Sequence, residues 1–232
     1  MATRATQADR IADIAGAGTR VFGRLGYRRT QMAAVAKEAG LSTGAIYTYV
    51  AGKEALFHLV FAAGFAKLPA DLELPVTAPP LADTIALIAD GLRKAVGSPR
   101  LRAALDDVAP DDVRAEFTAI IEERYDTVAG AWPLLAVAER CAVDIPELQE
   151  MYFRRGRRGQ LSHLTRYLEA RWEAGLLRKL PDSEIAARAI VETVVWFAWH
   201  RREDKDPGAY DEATARATVV ELLCNAFVPD ER

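Results

Sequence analysis

Residues 22–57 read FGRLGYRRTQMAAVAKEAGLSTGAIYTYVAGKEALF and encode two short helices joined by a tight turn. The first of these helices is predicted from Gln31 to Ala39, with Thr30 as its N-terminal cap. Gly40 would end it, because glycine readily adopts the left-handed conformation that a helix end requires, and Ser42 would cap the next helix. Short helices separated by a glycine-containing turn are typical of a helix-turn-helix.

The outward face of the second helix of this pair has an unusual composition. Its residues are Thr43, Gly44, Tyr47 and Thr48, with no charged residue between Leu41 and Val50. A helix that faces only solvent usually carries Lys or Glu on its outer side. Threonine can offer a hydroxyl to base edges and a methyl group to thymine, and a glycine permits close approach. The pattern therefore favours a surface that enters the major groove of DNA.

Phosphate partners are expected around this face. Thr30 and the first amides of its helix would form one anion site, and Lys53 with the start of the following helix another. Such contacts position a protein on DNA, while the recognition helix reads the bases. The full predicted DNA-contacting set is Arg28, Thr30, Gln31, Ser42, Thr43, Gly44, Tyr47, Thr48, Tyr49 and Lys53. Two purely structural alternatives stay open, in which Thr30 is only a cap and Tyr47 packs on the first helix.

The same residues resemble those of the tetracycline-repressor (TetR) family of bacterial transcription regulators. The matching positions are Phe22, Gly26, Tyr27, Thr30, Ala36, Ala39, Gly40, Ser42, Gly44, Ile46, Tyr47, Lys53, Glu54 and Leu56. The sequence departs mildly from the family pattern at Val35, Val50 and Tyr49. The resemblance implies that Tyr47, Tyr49 and Lys53 contact phosphates and that Thr43 and Thr48 meet bases.

The rest of the chain is also predicted to be helical, because apolar residues recur at spacings of three and four and strand-like alternation is scarce. A first helix is expected from Gln7 to Leu25, ended by Gly26. Gly16, Gly18 and Gly23 lie inside it, and we expect them to allow close packing against neighbouring helices.

Four prolines in residues 69–80, PADLELPVTAPP, cannot continue a helix and indicate a linker. We therefore expect an all-α fold with a helix-turn-helix domain at 1–52, a connecting helix at 53–68 and a ligand-binding and dimerisation domain at 81–232. Within that last domain, Asp144 is predicted to cap a long helix. The helices expected there are 81–96, 98–108, 111–129, 133–142, 144–174, 183–202 and 210–227.

Composition and charge limit the class of protein. The 232 residues carry 30 Lys and Arg against 33 Asp and Glu, and half are hydrophobic, which excludes disordered and collagen-like chains. With only two cysteines and no apolar leader or long apolar run, we expect a cytoplasmic protein without a membrane partner. Residues 1–60 have eight basic and four acidic side chains, a formal charge of +4, whereas the remainder carries −7. This favours a basic module on an acidic body, unless the asymmetry arises by chance.

The last two predicted helices indicate a homodimer. Helix 183–202 is apolar on most of its sides, and helix 210–227 has an apolar seam at alternating spacings of four and three. The alternative is a seam within one subunit. The family resemblance supports dimerisation through these helices as a four-helix bundle. The predicted interface residues are Ile190, Val194, Phe197, Ala213, Ala217, Val220 and Cys224.

The middle of the body is the expected site of a small-molecule effector, within the helices from 81 to 174. The predicted lining residues are Phe117, Tyr125, Trp132, Tyr152, His163 and Trp172, although residues of these types are more often core residues than ligand contacts. His58, His163 and His200 show no metal-ligand spacing, and no nucleophile or phosphate-loop motif is present. We therefore expect no catalytic site, metal or cofactor.

These observations favour a ligand-responsive, DNA-binding repressor that binds a palindromic operator as a dimer and that an unidentified effector releases. The alternative from another class is a helical small-molecule-binding protein or enzyme without specific DNA binding. A nearer alternative is a DNA-binding regulator that responds to a protein partner. Sequence-specific binding to double-stranded DNA upstream of its own gene would separate these hypotheses.

Overall fold

The computed structural model describes residues 7–66, 68–69, 72–107 and 110–229. Within them every regular element is a helix apart from one isolated bridge, which confirms the all-α fold class. The α-helices are α1 (Gln7–Arg29), α2 (Met32–Glu38), α3 (Thr43–Ile46), α4 (Lys53–Phe65), α5 (Leu81–Ala95), α6 (Pro99–Asp106), α7 (Val113–Ala142), α8 (Pro146–Gln149), α9 (Arg158–Glu173), α10 (Ser183–Ala198) and α11 (Glu212–Phe227). A π-helix covers Glu150–Arg157, and a 3-10 turn covers His200–Arg202. Parts of the predictions lie outside the described residues: the start of domain 1–52, position 67 of the connecting helix, linker positions 70–71, the end of helix 98–108, and positions 108–109 and 230–232 of domain 81–232.

The chain divides into two compact units. Unit 1 contains the described residues of Met1–Ala95 together with Pro133–Arg155, and unit 2 contains those of Val96–Trp132 and Gly156–Arg232. Helix α7 contributes to both, since its first part belongs to unit 2 and its last part to unit 1.

Unit 1 is organised around α1, which packs against α2 and α4. Phe22 and Phe57 meet edge to face with ring centroids 5.5 Å apart, and Tyr27 meets Phe57 at 5.3 Å. A Cβ on Gly18 would lie 2.7 Å from Val60, so the absence of a side chain there lets α1 approach α4. The close packing predicted for Gly18 is therefore confirmed.

The end of α1 combines a confirmed prediction with a corrected one. Gly26 has φ of 78°, the left-handed conformation expected at this position, and the helical path is broken there. The first helix therefore ends at Gly26, as predicted, and a short helical stretch follows it through Arg29. The helix that follows begins at Met32, and the Thr30 side chain does not cap it, because its hydroxyl donates to the Gly26 carbonyl oxygen at 2.7 Å.

Two predictions for residues 81–232 were wrong. Helices 111–129 and 133–142 are one continuous helix, α7, with Pro133 inside it. Proline removes one hydrogen bond, but burial of Ala131 and Leu135 on either side helps to offset the loss. Asp144 does not cap the next helix, whose N-cap is Ile145. Its carboxylate instead accepts a hydrogen bond from the Arg28 backbone N–H at 2.7 Å.

Unit 2 contains a buried ion pair between α7 and α9. Arg171 donates through Nε and Nη2 to the two Glu116 carboxylate oxygens, at 2.9 and 2.8 Å, and also to the Ala104 carbonyl oxygen of α6. The Tyr167 hydroxyl donates to Glu116 at 2.9 Å. Burial, reinforced by the neighbouring carboxylate, raises the pKa of Tyr167 well above its usual range. Side chains of Asp182 and Asp211 cap α10 and α11.

Candidate nucleic-acid interface

A small apolar core supports the candidate DNA-binding surface. Val35 and Ala36 of α2 and Ile46 of α3 are fully buried, and the two helices pack together. Gly40 lies between them with a φ of 69°, and the Leu41 N–H donates a hydrogen bond to the Ala36 carbonyl oxygen at 2.8 Å. A glycine at a position with this φ avoids backbone strain. These contacts hold α2 and α3 together while residues of α3 remain at the surface.

The outer face of α3 is exposed and uncharged, as the sequence predicted. Thr43, Gly44 and Thr48 are exposed, and Tyr47 retains 46% of its accessible surface. A Cβ on Gly44 would meet no atom within 4 Å, so glycine is not needed there for packing within the subunit. The space above Gly44 is therefore open to a molecule that approaches from outside.

Two hydroxyls on this face are held by local hydrogen bonds. Ser42 Oγ accepts from Ala45 N–H at 3.1 Å, which confirms its predicted role as the cap of α3. Thr48 Oγ1 donates to the Ala45 carbonyl oxygen at 2.8 Å. A hydroxyl can accept two hydrogen bonds besides donating one, so the Thr48 oxygen keeps the capacity to accept from a base amine.

The two predicted DNA-contacting residues at the start of α2, Thr30 and Gln31, differ in exposure. Gln31 is exposed and is the backbone N-cap of α2. Thr30 is only 1% exposed, and its hydroxyl is bonded within the end of α1. The Thr30 side chain is therefore not available at the surface, whereas the Gln31 side chain is.

Lys53 lies at the start of α4 against the end of α1. Its Nζ donates to the Tyr27 carbonyl oxygen at 3.2 Å and to the Arg28 carbonyl oxygen at 3.5 Å, and it lies 4.7 Å from the Tyr27 ring centroid. The Tyr27 hydroxyl donates to Glu54, and burial together with that carboxylate raises the pKa of Tyr27 to about 12. An ammonium group has three N–H donors, and these two contacts occupy two of them.

The predicted phosphate-contacting residues Arg28 and Tyr49 differ in exposure. The Arg28 side chain is exposed, and its Nε lies 3.9 Å from Asp144. Tyr49 is half-buried in the turn between α3 and α4. Its carbonyl oxygen accepts a hydrogen bond from Val76 N–H at 2.8 Å. The sequence did not indicate this contact, because Val76 lies in the Pro-rich segment that was predicted to be only a linker.

The predicted dimer residues fall into two groups. Ile190, Val194, Val220 and Cys224 are buried within the subunit, and Phe197 is half-buried. Ala213 and Ala217 are exposed. The most exposed large apolar side chains of α10 and α11 are instead Ile185, at 71%, and Leu222, at 57%. Periodicity identified apolar helices but not which of their sides turns inward.

The predicted effector residues differ in the unit to which they belong and in burial. Tyr152 belongs to unit 1, while the other five belong to unit 2. His163 is exposed, whereas Phe117 and Tyr125 are buried. Phe117 stacks on Tyr167 with a centroid distance of 6.3 Å, which is a core contact. The location of an effector site therefore stays a prediction.

No three His, Cys, Asp or Glu side chains among the described residues are arranged to hold a metal ion. None of the helices in the described part of the chain has the length and apolar character needed to cross a membrane.

Two family models match the chain. Residues 14–60 match the model for bacterial regulatory proteins of the tetR family. Residues 126–222 match the model for the C-terminal domain of AefR-like transcriptional repressors. No curated protein sequence matches the chain.

Several solved structures share the fold. The ketosteroid transcriptional regulator KstR2 of Mycobacterium tuberculosis is 14% identical, with 95% of this chain and 96% of that chain covered and a TM-score of 0.61. AibR, in complex with isovaleryl coenzyme A and operator DNA, is 15% identical, with 94% and 100% covered and a TM-score of 0.55. The regulator FadR from Bacillus subtilis, in complex with stearoyl-CoA, is 20% identical, with 92% and 97% covered and a TM-score of 0.50.

Proposed function

The chain belongs to the tetracycline-repressor (TetR) family of bacterial regulatory proteins, and from that premise we propose that it is a homodimeric repressor of transcription. Helix α3 of each subunit enters the major groove of a palindromic operator, with half-sites about 34–36 Å apart or a multiple of that distance. The observation that carries this proposal is the exposed, uncharged face of α3, with open space above Gly44. The protein acts in the cytoplasm and has no catalytic activity of its own.

Individual residues have distinct roles in this proposal. Thr43 and Thr48 meet base edges, while Tyr47, Tyr49 and Arg28 contact the phosphate backbone. The Gln31 side chain and the first amides of α2 lie at a second phosphate position. Lys53 both ties α4 to the end of α1 and offers its third N–H donor to a phosphate. The buried Thr30 side chain supports α1 and makes no DNA contact.

The first experiment measures binding to the double-stranded DNA upstream of the protein's own gene by fluorescence anisotropy against excess unrelated duplex. We expect sequence-specific binding that weakens as salt rises, because phosphate contacts release counterions. Tyr47→Ala should lower this affinity at least tenfold, since it removes an exposed phenol from the α3 face. Tyr210→Ala removes an exposed tyrosine in unit 2 and is the matched control. Absence of binding to any promoter fragment would favour the small-molecule-binding protein instead.

The proposed effector is an acyl-CoA thioester, because two of the similar structures, AibR and FadR, contain one. A ligand changes operator affinity only through different affinities for the DNA-competent and released states of the protein. In the released state α4 is displaced and the two α3 helices no longer match the half-site spacing.

The second experiment titrates thioesters of short and long acyl chains into the protein–DNA complex, with free coenzyme A and the matching fatty acids as controls. At least one thioester should lower operator affinity tenfold or more. Unchanged affinity throughout the series, with DNA binding intact, would contradict the proposed effector class and leave the repressor proposal standing.

A further inference from the structure

The Pro-rich segment between α4 and α5 is hydrogen-bonded to the turn that follows α3. Val76 N–H donates to the Tyr49 carbonyl oxygen at 2.8 Å, and the Val76 carbonyl oxygen accepts from Ala51 N–H at 2.9 Å. Together these bonds form an isolated parallel bridge between Val50 and Val76. The side chains of both valines are buried. A segment whose composition is typical of a linker is thus fixed to the candidate DNA-binding surface.

The turn that receives this bridge is not regular helix. Regular helix in α3 covers only Thr43–Ile46, and four residues are too few to be stable alone. Beyond Ile46 the chain continues through i to i+3 bonds, such as Tyr49 N–H to the Ile46 carbonyl oxygen at 3.0 Å. Gly52 then takes an extended conformation before α4 begins. The bonds to Val76 supply an anchor from outside the turn.

The Pro-rich segment does not pack closely along the whole of α4. A cleft of about 410 Å³ lies between them, lined by His58, Leu59 and Ala62 of α4 and by residues including Leu72 and Pro75 of the segment. Side-chain packing on α4 therefore leaves space unfilled beside the bridge. The segment has a further anchor on α1, where Gln7 Nε2 donates to the Leu72 carbonyl oxygen at 3.2 Å.

We propose that Val76 is a positioning residue for DNA binding, whose two backbone hydrogen bonds hold the turn 49–51 so that Tyr49 and the start of α4 meet the phosphate backbone. This inference rests on the proposed function, in which Tyr49 contacts a phosphate. Val76 itself does not touch DNA in this arrangement. Its effect passes through the Tyr49 carbonyl and the Ala51 amide.

The test uses Val76→Pro in the full chain, because proline removes the N–H that bonds to Tyr49. Val76→Ala keeps that N–H, and Thr77→Pro places a proline at the next, exposed position, so both serve as controls. Affinity for the upstream duplex is measured from low to high salt. Val76→Pro should lower the affinity about tenfold and reduce the slope of log K against log salt by about one, because the start of α4 carries the cationic Lys53, and loss of its phosphate contact removes one counterion release. Both controls should bind like the wild type.

A double variant separates positioning from a general loss of stability. If Val76 acts through Tyr49, the two losses should not add. The variant that combines Val76→Pro with Tyr49→Phe should then have about the same affinity for the duplex as the single variant with the lower affinity. Wild-type affinity and salt slope in Val76→Pro would overturn the inference. So would an unchanged slope with fully additive losses, because the bridge would then be only structural. Failure of the wild type to bind the duplex would overturn the proposed function as well.

Hydrogen exchange in the wild type gives a test that does not depend on the variant folding. The Val76 and Ala51 amides should exchange more slowly than the exposed Thr77 amide, and addition of the upstream duplex should slow them further. Exchange of peptides covering 47–52 and 72–80 that does not respond to the duplex would overturn the inference.

Discussion

If α3 enters the major groove as proposed, a side chain at Gly44 has opposite effects on the stability of the subunit and on DNA binding. An added side chain meets no atom within 4 Å in the subunit, and leucine is a better helix former than glycine. Gly44→Leu should therefore leave the free energy of unfolding unchanged or raise it by up to about 1 kcal/mol. The same side chain would fill the space through which α3 approaches the bases, so affinity for the upstream duplex should fall at least tenfold.

The matched control for this prediction is Gly130→Leu. Gly130 lies in α7, is exposed, and also has open space at its Cβ position. Urea denaturation should show a similar change in stability for both variants, while anisotropy should show weaker DNA binding only for Gly44→Leu. Equal DNA affinity of the two variants would mean that the α3 face is not the one that enters the groove.

His58 gives the stability of unit 1 a dependence on pH. Its Nδ1 lies 3.0 Å from Thr84 Oγ1, and burial lowers the pKa of the His58 imidazole below its unfolded value of about 6.5. Well above pH 6.5 neither state binds the proton, and the full stability is present. As the pH falls below 6.5, the unfolded chain takes up the proton first, so stability declines until His58 is protonated in the folded chain as well.

We therefore expect the free energy of unfolding to fall more steeply between about pH 7 and 5.5 in the wild type than in His58→Gln. Urea titrations at several pH values measure this difference directly, and the carboxylates common to both proteins cancel in the comparison. Parallel pH profiles for the two proteins would show that His58 does not contribute.

At the scale of elements, Gly16 and Gly18 of α1 have opposite effects on packing although only one residue separates them. A Cβ on Gly18 would lie 2.7 Å from Val60 and 3.2 Å from Leu56, and the branched Val60 side chain has little freedom to move. On Gly16 the nearest atom is the end of the Arg20 side chain at 3.6 Å. Gly18→Ala should thus destabilise unit 1 by about 1–3 kcal/mol, whereas Gly16→Ala should stabilise it by about 0.5–1 kcal/mol.

Thermal and urea unfolding of the two alanine variants check this pair of predictions. Because the substitution is chemically the same in one helix, the difference in sign isolates the contact between α1 and α4. Stabilisation by Gly18→Ala would show that α1 and α4 can separate slightly without a net loss of packing energy.

The elements also show which features a sequence determines locally. The left-handed Gly26 and Gly40 and the cap at Ser42 were predicted, because each depends on residues within one turn. The exposed α3 face was predicted for the same reason. Pro133 inside α7 was not, because burial of its neighbours helps to offset a missing hydrogen bond only in the folded chain.

Contacts between distant segments explain the remaining differences. Val50 and Val76 pair across 26 positions of sequence, and a single bridge leaves no periodic pattern. Asp144 has the residue type of a cap but bonds to the Arg28 amide of α1. In α10 and α11 the sequence showed apolar residues on several sides, and only the folded subunit shows that Ile190 faces inward and Ile185 outward.

At the scale of the whole molecule, charge and symmetry act together. Residues 1–60 carry a formal charge of +4, while the chain as a whole carries −3. A dimer brings two such basic segments to one duplex. Because the basic charge of each segment is modest, we expect operator affinity to depend strongly on both subunits binding at once. Loss of the dimer should therefore weaken DNA binding even when each helix-turn-helix is intact.

The exposed apolar side chains of α10 and α11 predict how to separate the subunits. These two helices pack together in unit 2, and Ile185, Trp196 and Leu222 remain exposed on them. Single exposed apolar residues are common, but three on a pair of neighbouring helices indicate a surface that a second subunit covers. Ile185→Glu combined with Leu222→Glu places charges in that interface without disturbing the core of the subunit.

We expect this double variant to remain folded and to shift from a dimer to a 25.4 kDa monomer in sedimentation at micromolar concentration. Affinity for the upstream duplex should fall by at least tenfold, because the second half-site is no longer bound within the same molecule. Val143→Glu, which charges an exposed apolar position in unit 1, should leave both mass and affinity unchanged. A double variant that stays dimeric would place the interface elsewhere, whereas a monomer with wild-type affinity would show that the operator is bound by one subunit.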